Sequence, residues 1–305
     1  MTDVYGMVDV LADDGRWDDL LAFAAAPEGA AADRMHVAHV VALEAPPPFA
    51  AAAAQLFPDD ERGFTGPLWE VLASRNDWRT LDPHLTLHRV RRLVAHTRVL
   101  HGEDLSALEL DPLDPRNPRD PLDPPLRLLE WEAARWDPEW DLWTYDRTGC
   151  SGCTIWAYPG RLIPPVPSPV TALEPVEHPA VALLDGFSTA VRAHAVRGPV
   201  PTAVRATFAD AYPHLVQLAT GERAYERGTG HARARIAVWR ALVAMAGAGA
   251  GSAVGSDAGS AVGDLVERLR CVAWRQPDDE MYHLRLAMED PARGIAWVLS
   301  GSDRD

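Results

Sequence analysis

The stretch Trp140–Pro169, WDLWTYDRTGCSGCTIWAYPGRLIPPVPSP, sets how the rest of the chain is read. It holds three of the eleven tryptophans and the one Cys-x-x-Cys pair, between flanks that read as helical. Trp140–Asp146 is short and aromatic, and Cys153–Tyr158 carries Thr154, Ile155, Trp156 and Tyr158. Two such runs joined by a glycine-containing loop predict a β-hairpin. On its second arm Thr154, Trp156 and Tyr158 share a face, because side chains alternate along a strand. The prolines at 164, 165, 167 and 169 remove amide donors, so the exit is expected to run extended or along an edge.

Cys150 and Cys153 fall at the loop end of this hairpin, and three readings compete. A zinc site needs four ligands, usually thiolate or imidazole. Only Cys271 remains, and the spacing of His178 does not require it as a ligand. A redox dithiol needs a thiol of lowered pKa, often at a helix N-terminus, whereas this pair reads as hairpin. The third reading is two reduced, semi-buried thiols beside a tight turn. The expectation is no cofactor, with zinc as the alternative these residues would hold.

Outside that stretch, composition bounds the answer. The chain has 305 residues, enough for one large domain or two ordinary ones, and 47% hydrophobic residues fit a globular protein. Three cysteines argue against a disulfide framework and for a reducing compartment. The acidic N-terminus lacks a signal-peptide pattern, and no run of eighteen apolar residues occurs. The expectation is a cytoplasmic protein with no membrane segment.

All 29 basic residues are arginine. Without lysine there is no Walker-type phosphate loop, no kinase-like catalytic lysine and no Schiff base. The net charge of −15 is uneven. Residues 1–150 carry 14 arginines against 28 carboxylates, and residues 151–305 carry 15 against 16. Within 192–240 the balance reverses, with 8 arginines against 3 carboxylates. Phosphate contacts dominate nucleic-acid affinity, so an acidic chain argues against nucleic acid as partner. The basic segment can meet an anionic ligand, a partner or solvent.

Apolar spacing predicts helices over 7–26, 30–45, 49–57 and 67–75, and one opened by Asp82-Pro83 that runs to Leu100. Arg34, Val37, Ala38, His39 and Leu43 recur as Arg91, Val94, Ala95, His96 and Leu100, a faint repeat at an offset of 57 residues. Residues 111–125, DPLDPRNPRDPLDPP, read as a Pro/Asp linker. A short helix over 126–135 leads into the hairpin. His178–Val196, Thr202–Tyr212, Pro213–Thr220 and 229–246 read as helices, and 247–260 as a Gly/Ser/Ala loop. Leu269–Arg275, Tyr282–Glu289 and Gly294–Ser300 read as three strands, with the hairpin loop Asp290–Gly294 between the last two.

The fold class read from this pattern is α+β: a helical domain over 1–110, the linker, then a small antiparallel sheet packed with helices over 126–305. The hairpin of 140–158 is expected to share that sheet with the C-terminal strands, with 178–246 as a helical insertion.

The runs GCSGCTIWAYPGRLIPPVPSPVTAL (149–173), HAVRGPVPTAVRATFADAYPHLVQLATGERAYERGTGHARAR (194–235) and LRLAMEDPARGIAWVLSGSD (284–303) resemble an uncharacterised domain-of-unknown-function family of high-GC actinobacteria. The resemblance spans roughly residues 80–300. It implies a bacterial cytoplasmic protein and brings no activity, cofactor or catalytic residue.

The best polar cluster is 221–235, GERAYERGTGHARAR. Free amides at a helix start attract anions. Arg223, Arg227, Thr229, Gly230, His231, Arg233 and Arg235 are therefore candidates to surround a phosphate or carboxylate. The competing reading is a Thr229 cap with arginines paired to Glu222 and Glu226. His84, His88, Arg92 and His96 form a stripe, but the arginine disfavours a metal. Ser188 in DGFSTA lacks the closing glycine of a nucleophile elbow. The leading function is a non-enzymatic protein-interaction protein with an acidic helical half. The alternatives are an enzyme or sensor for a small anionic ligand near Gly228–Arg235, and a zinc or thiol site at Cys150/Cys153.

Overall fold

The computed structural model describes residues 4–28, 30–58, 65–108, 110, 124–151, 167–201, 204–221, 228–247, 256–276 and 283–302. In chain order the helices begin with α1 (Val4–Asp13), α2 (Trp17–Ala25), α3 (Ala31–Glu44), α4 (Pro47–Leu56), α5 (Leu68–Arg75), α6 (Trp78–Leu81) and α7 (His88–Leu100). Two short helices, α8 (Glu130–Ala133) and α9 (Pro138–Asp141), precede strands β1 (Thr144–Asp146) and β2 (Gly149–Ser151). Then come β3 (Glu174–Val176), α10 (Pro179–Asp185), β4 (Val191–Arg197), β5 (Val204–Ala206), α11 (Phe208–Ala219), α12 (His231–Ala246) and α13 (Ser256–Arg268). The chain closes with β6 (Arg270–Ala273), β7 (His283–Asp290) and β8 (Ile295–Ser302). The fold is α+β, with the helices first.

Two compact units result. The first takes Met1–Leu113, Pro138–Cys153 and Glu226–Ala232; the second takes Asp114–Asp137, Thr154–Tyr225 and Arg233–Asp305. The division near residue 113 follows the Pro/Asp run, most of which lies outside the described residues. Two later segments return to the first unit, which no compositional boundary announces.

In the first unit α3 is the central helix. Every residue from Met35 to Leu43 is buried, His36 and His39 included. A helix apolar on all sides needs neighbours all round, and α2, α4 and α5 supply them. Ala50, Ala51, Ala53 and Ala54 of α4 are fully buried, and their small side chains permit close approach. Pro47 and Pro48 occupy the first turn of α4, where a missing N–H removes no intrahelical bond. The repeat positions behave alike: Val37, Ala38 and His39 on α3, and Val94, Ala95 and His96 on α7, are all fully buried. Both helices pack on α5.

Two helix expectations change here. Residues 7–26 form two helices broken at Gly15, whose φ is +68°. Asp82-Pro83 does not open α7 but forms a 3-10 turn, Asp82–His84. The aspartate that caps a helix here is Asp77, at the start of α6, which accepts from the Thr80 amide at 2.8 Å. The carboxamide of Gln55 accepts from the Thr86 and Leu87 amides, at 2.9 and 2.6 Å, and so holds the chain ahead of α7.

The aromatic ribbon corrects the architecture. β1 pairs with β2, Tyr145 opposite Cys150, so a strand occupies Gly149–Ser151, where the loop of the hairpin was expected, and the two form a sheet of their own. They share no sheet with the C-terminal strands. β1 instead lies on α3 and α5. The ring of His39 bonds the Asp146 carbonyl at 2.6 Å, and Arg75 donates to the Tyr145 carbonyl at 3.4 Å. Helix side chains thus take up strand carbonyls. Trp140 lies in α9 rather than on a strand, and the predicted second arm beyond Ser151 lies outside the described residues.

The second unit holds a six-stranded antiparallel sheet in the order β3-β4-β8-β7-β6-β5. The predicted C-terminal strands are its centre, and β7–β8 form the expected hairpin through Asp290–Gly294. The helical insertion over 178–246 is corrected. His178–Val196 breaks into α10 and β4, and β5 lies within the predicted helix Thr202–Tyr212. VRAHAVR alternates Val191, Ala193 and Ala195 with Arg192, His194 and Val196, a period of two. Its alanines suit a helix in isolation, yet β4 pairs with β8 over seven residues. The helix α11 runs through Pro213. Its start is a capping box, in which Thr207 and Asp210 bond each other's amides. The predicted loop 247–260 turns helical from Ser256.

One face of the sheet carries Trp297 and Cys271. The ring of His178, which caps α10, stands edge-on to Trp297 at 5.0 Å, and α11 packs on β6. The other face carries Val196, Val272, Ala287, Ala296 and Val298, with Trp274, Val170 and Val200 clustered on them.

Candidate functional site

The polar cluster at 221–235 is the natural place to look for chemistry. Arg223 and Arg227 lie outside the described residues. Those described include members of two buried clusters, one in each unit, each built on a buried glutamate.

In the first unit the amide of His231, at the start of α12, donates to Glu70 Oε2 at 2.7 Å. Its ring nitrogen Nδ1 lies 2.6 Å from Glu70 Oε1. Glu70 is 2% and His231 1% exposed. A carboxylate at a helix N-terminus meets both unsatisfied amides and the positive end of the helix dipole. The cap predicted for Thr229 is therefore supplied by Glu70, and the anion at these amides is the protein's own. Gly230 makes the approach feasible. Its φ is +89°, and a Cβ there would lie 2.5 Å from Trp69, 2.6 Å from Glu70 Oε2 and 2.9 Å from Pro67. Only glycine fits such a place. The ring of Trp143 closes the cluster, edge-on to His231 at 4.7 Å. Burial pulls His101, at the end of α7, down to about 4, and the Arg98 charge adds to this while Glu70 opposes it.

In the second unit Arg235 is fully buried and belongs to Glu132. Glu132 Oε1 accepts from Arg235 Nε at 2.8 Å, Tyr212 Oη at 2.6 Å and Trp239 Nε1 at 3.0 Å. Oε2 accepts from Arg235 Nη2 at 2.9 Å and the Leu129 amide at 3.0 Å. Arg235 Nη2 also donates to the carbonyls of Pro125 and Arg127, each at 3.0 Å. Trp131 packs around the pair, its ring 5.5 Å from Trp239 and 5.2 Å from Tyr212. Burial alone pushes the Glu132 carboxyl up. The Arg235 charge and the bonds from Arg235, Tyr212 and Leu129 outweigh it and hold the group below its usual range. Burial, then the Glu132 charge, push the Tyr212 phenol well up. A buried charge pair with this many donors stays ionised.

The sequence cluster therefore does not come together as one anion pocket. His231 and Gly230 close onto Glu70, Arg235 closes onto Glu132, and Thr229 and Arg233 are half-buried. Sequence reading missed the two carboxylates. The signal was a single acid inside an apolar run, as in Leu68-Trp-Glu70-Val-Leu72, which demands a partner.

A carboxylate beside an imidazole is also the orienting half of a nucleophilic triad. Here both groups are sealed from solvent, and the imidazole faces an indole. The arrangement fastens residues 228–231 to α5.

The remaining candidates are structural in place. Cys150 is buried on β2, and Cys153 lies outside the described residues. Burial, then Asp210, push the Cys271 thiol up to about 12, which keeps it protonated. Among the described residues no group of three or more His, Cys, Asp or Glu is placed to hold a metal ion. His84 leaves the predicted stripe for the 3-10 turn, while Arg92 and His96 turn into the core of the first unit. Ser188 is a buried turn residue between α10 and β4 whose hydroxyl accepts from the Ala190 amide at 3.3 Å. Among the described residues no helix is long and apolar enough to cross a membrane. No family model, no curated protein and no solved structure matches the chain.

Proposed function

We propose that this is a non-enzymatic, bacterial cytoplasmic protein-interaction protein whose acidic helical unit receives a basic partner surface. The observation that carries the reading is the outer face of α1–α3. Asp9, Asp13, Asp14, Asp18, Asp19 and Glu44 are all exposed there. The cations beside them are already engaged: Arg16 pairs with Asp19 at 2.7 Å, and Arg147 with Asp13 and Glu44, each at 2.7 Å. Tyr5 and Val10 of α1 are 61% and 60% exposed, so the acidic face also offers apolar contact. Exposed apolar groups rimmed by charge are the usual composition of a binding surface. The charge pattern favours association with positive surfaces and repels nucleic acid.

The test is affinity capture from the native host with the intact chain and with the variant Asp9→Asn/Asp13→Asn/Asp18→Asn, at low and high salt. A protein retained by the intact chain, and lost both with the variant and with salt, is the expected result. Recovery of the same proteins by both forms, or of none, refutes the reading.

A further inference from the structure

One edge of the six-stranded sheet is only partly covered by strand. β3 pairs with β4 at Ala195, Val196 and Arg197, and the residues of β4 before them have no strand on that side among the described residues. Along an antiparallel strand the backbone groups of successive residues turn to opposite sides. The Gly198 amide, in phase with Arg192, His194 and Val196, donates to the Gly294 carbonyl at 3.0 Å, so these residues turn toward β8. Val191 and Ala193 therefore turn outward, as do Ala195 and Arg197, which face β3. An open edge of this kind is a template for pairing with another chain.

Three of the four outward groups of Val191 and Ala193 are nevertheless taken. The Ala193 amide donates to Asp185 Oδ1 at 3.1 Å. The Val191 amide donates to the Ser188 carbonyl at 3.1 Å, and the Val191 carbonyl accepts from Arg192 Nη1 at 2.8 Å. The helix α10 explains why a side chain stands where a strand would. The register of β3 would set His178 opposite Ala193, but His178 turns away to cap α10, its Nδ1 accepting from the Ala180 amide at 3.2 Å. Pro179 follows and has no amide to give. Asp185, the last residue of α10, then returns to the amide that His178 leaves. Arg192, which is exposed, adds a second obstacle. Two copies pairing Val191 and Ala193 with each other in antiparallel sense would set Arg192 opposite Arg192, and like charges directly opposite destabilise a strand pair.

We infer that Asp185 and Arg192 guard this edge and hold the chain out of an antiparallel β4–β4 contact with a second copy. Asp185 acts by occupying the Ala193 amide. Arg192 acts by occupying the Val191 carbonyl and by its charge. Such a contact uses the same patch on both copies, so each guard acts twice. Short edge strands and charged side chains are the usual means of blunting a sheet. Here β3, three residues long, supplies the first, and Asp185 and Arg192 protect the part of β4 that β3 leaves uncovered. The edge is separate from the acidic face, since β4 belongs to the second unit and α1–α3 to the first.

The experiment is size-exclusion chromatography with light scattering on the full chain across the micromolar range, with Asp185→Ala/Arg192→Thr as the variant. Ala193→Pro, added to the parent and to the variant, removes the outward amide without breaking a bond to β8. Edge pairing is the association that Ala193→Pro abolishes. The parent is expected to show none. The double variant is expected to show it, with a mass that rises with concentration toward roughly twofold and returns to that of the parent when Ala193→Pro is added. A folded double variant that keeps the mass of the parent throughout overturns the inference. So does a gain in mass that persists with Ala193→Pro, and so does association of the parent that Ala193→Pro abolishes. Should the double variant fail to fold by circular dichroism, hydrogen exchange on the parent decides. Slow exchange of the Ala193 amide is then the expected result, and exchange at the rate of an open amide overturns the inference.

Discussion

Glu70 and His231 are 161 residues apart in the chain, yet both oxygens of the Glu70 carboxylate are bonded by His231, one through the ring and one through the backbone amide. The contact converts a helix start, read from sequence as open to a ligand, into an internal joint of the first unit.

Removing that carboxylate leaves a buried amide and a buried imidazole without their acceptor. Glu70→Ala is expected to lower unfolding free energy by about 2–4 kcal/mol, and Glu70→Gln by less, since an amide oxygen still accepts. Gly230→Ala tests the same joint from the other side. A methyl there meets Trp69 and Glu70 Oε2 on a backbone with φ +89°. The expected loss is about 3 kcal/mol. Urea unfolding followed by far-ultraviolet circular dichroism measures both. An unchanged midpoint in Gly230→Ala would mean that the close approach does not exist.

Glu132 and Arg235 call for a double-mutant cycle. Each single change to alanine strands a buried charge, with an expected loss of about 3–5 kcal/mol. The double variant is expected to lose clearly less than the two singles together, because no unpaired charge remains. Replacing the pair by leucine and methionine should come close to the parent protein in stability. Additive single effects would show that the two groups are not coupled.

Stability against acid follows from the histidines. Burial holds His101 and His214 down to about 4, while in an unfolded chain histidine takes a proton near pH 6.5. Between those values the unfolded chain binds more protons than the folded one. The contribution of these groups is therefore complete above about pH 6.5 and is lost as pH falls toward 4. The depressed Glu132 carboxyl acts lower: its contribution is present above the ordinary carboxylate range and is lost as pH falls through its folded value. Melting temperature is expected to fall by several degrees from pH 7 to 5, and His101→Gln should flatten that slope. A melting temperature independent of pH over this interval would contradict the burial of both rings.

Local pattern carried much of the fold. The apolar periodicity of α3, α5 and α7, and the alternation of His283–Asp290, require no knowledge of distant residues, because a buried face must recur with the period of its element. Short Ala-rich runs were less legible. VRAHAVR meets helix and strand requirements alike, and its seven-residue pairing with β8 settles the choice. The aromatic ribbon failed in the opposite way. A turn near Gly149 was written locally, but the strand that follows it begins at Gly149 rather than Cys153, and the neighbours of the ribbon proved to be helices.

The same division runs through the site. Composition by itself determined the charge imbalance, the absence of lysine and hence the loss of lysine-based chemistry, since these are properties of residue type. Which arginine or amide meets which carboxylate was decided only by the tertiary structure. Glu70 with His231, and Glu132 with Arg235, are paired because a polar or charged group left buried without a partner is costly, and that requirement acts through space without regard to position along the chain.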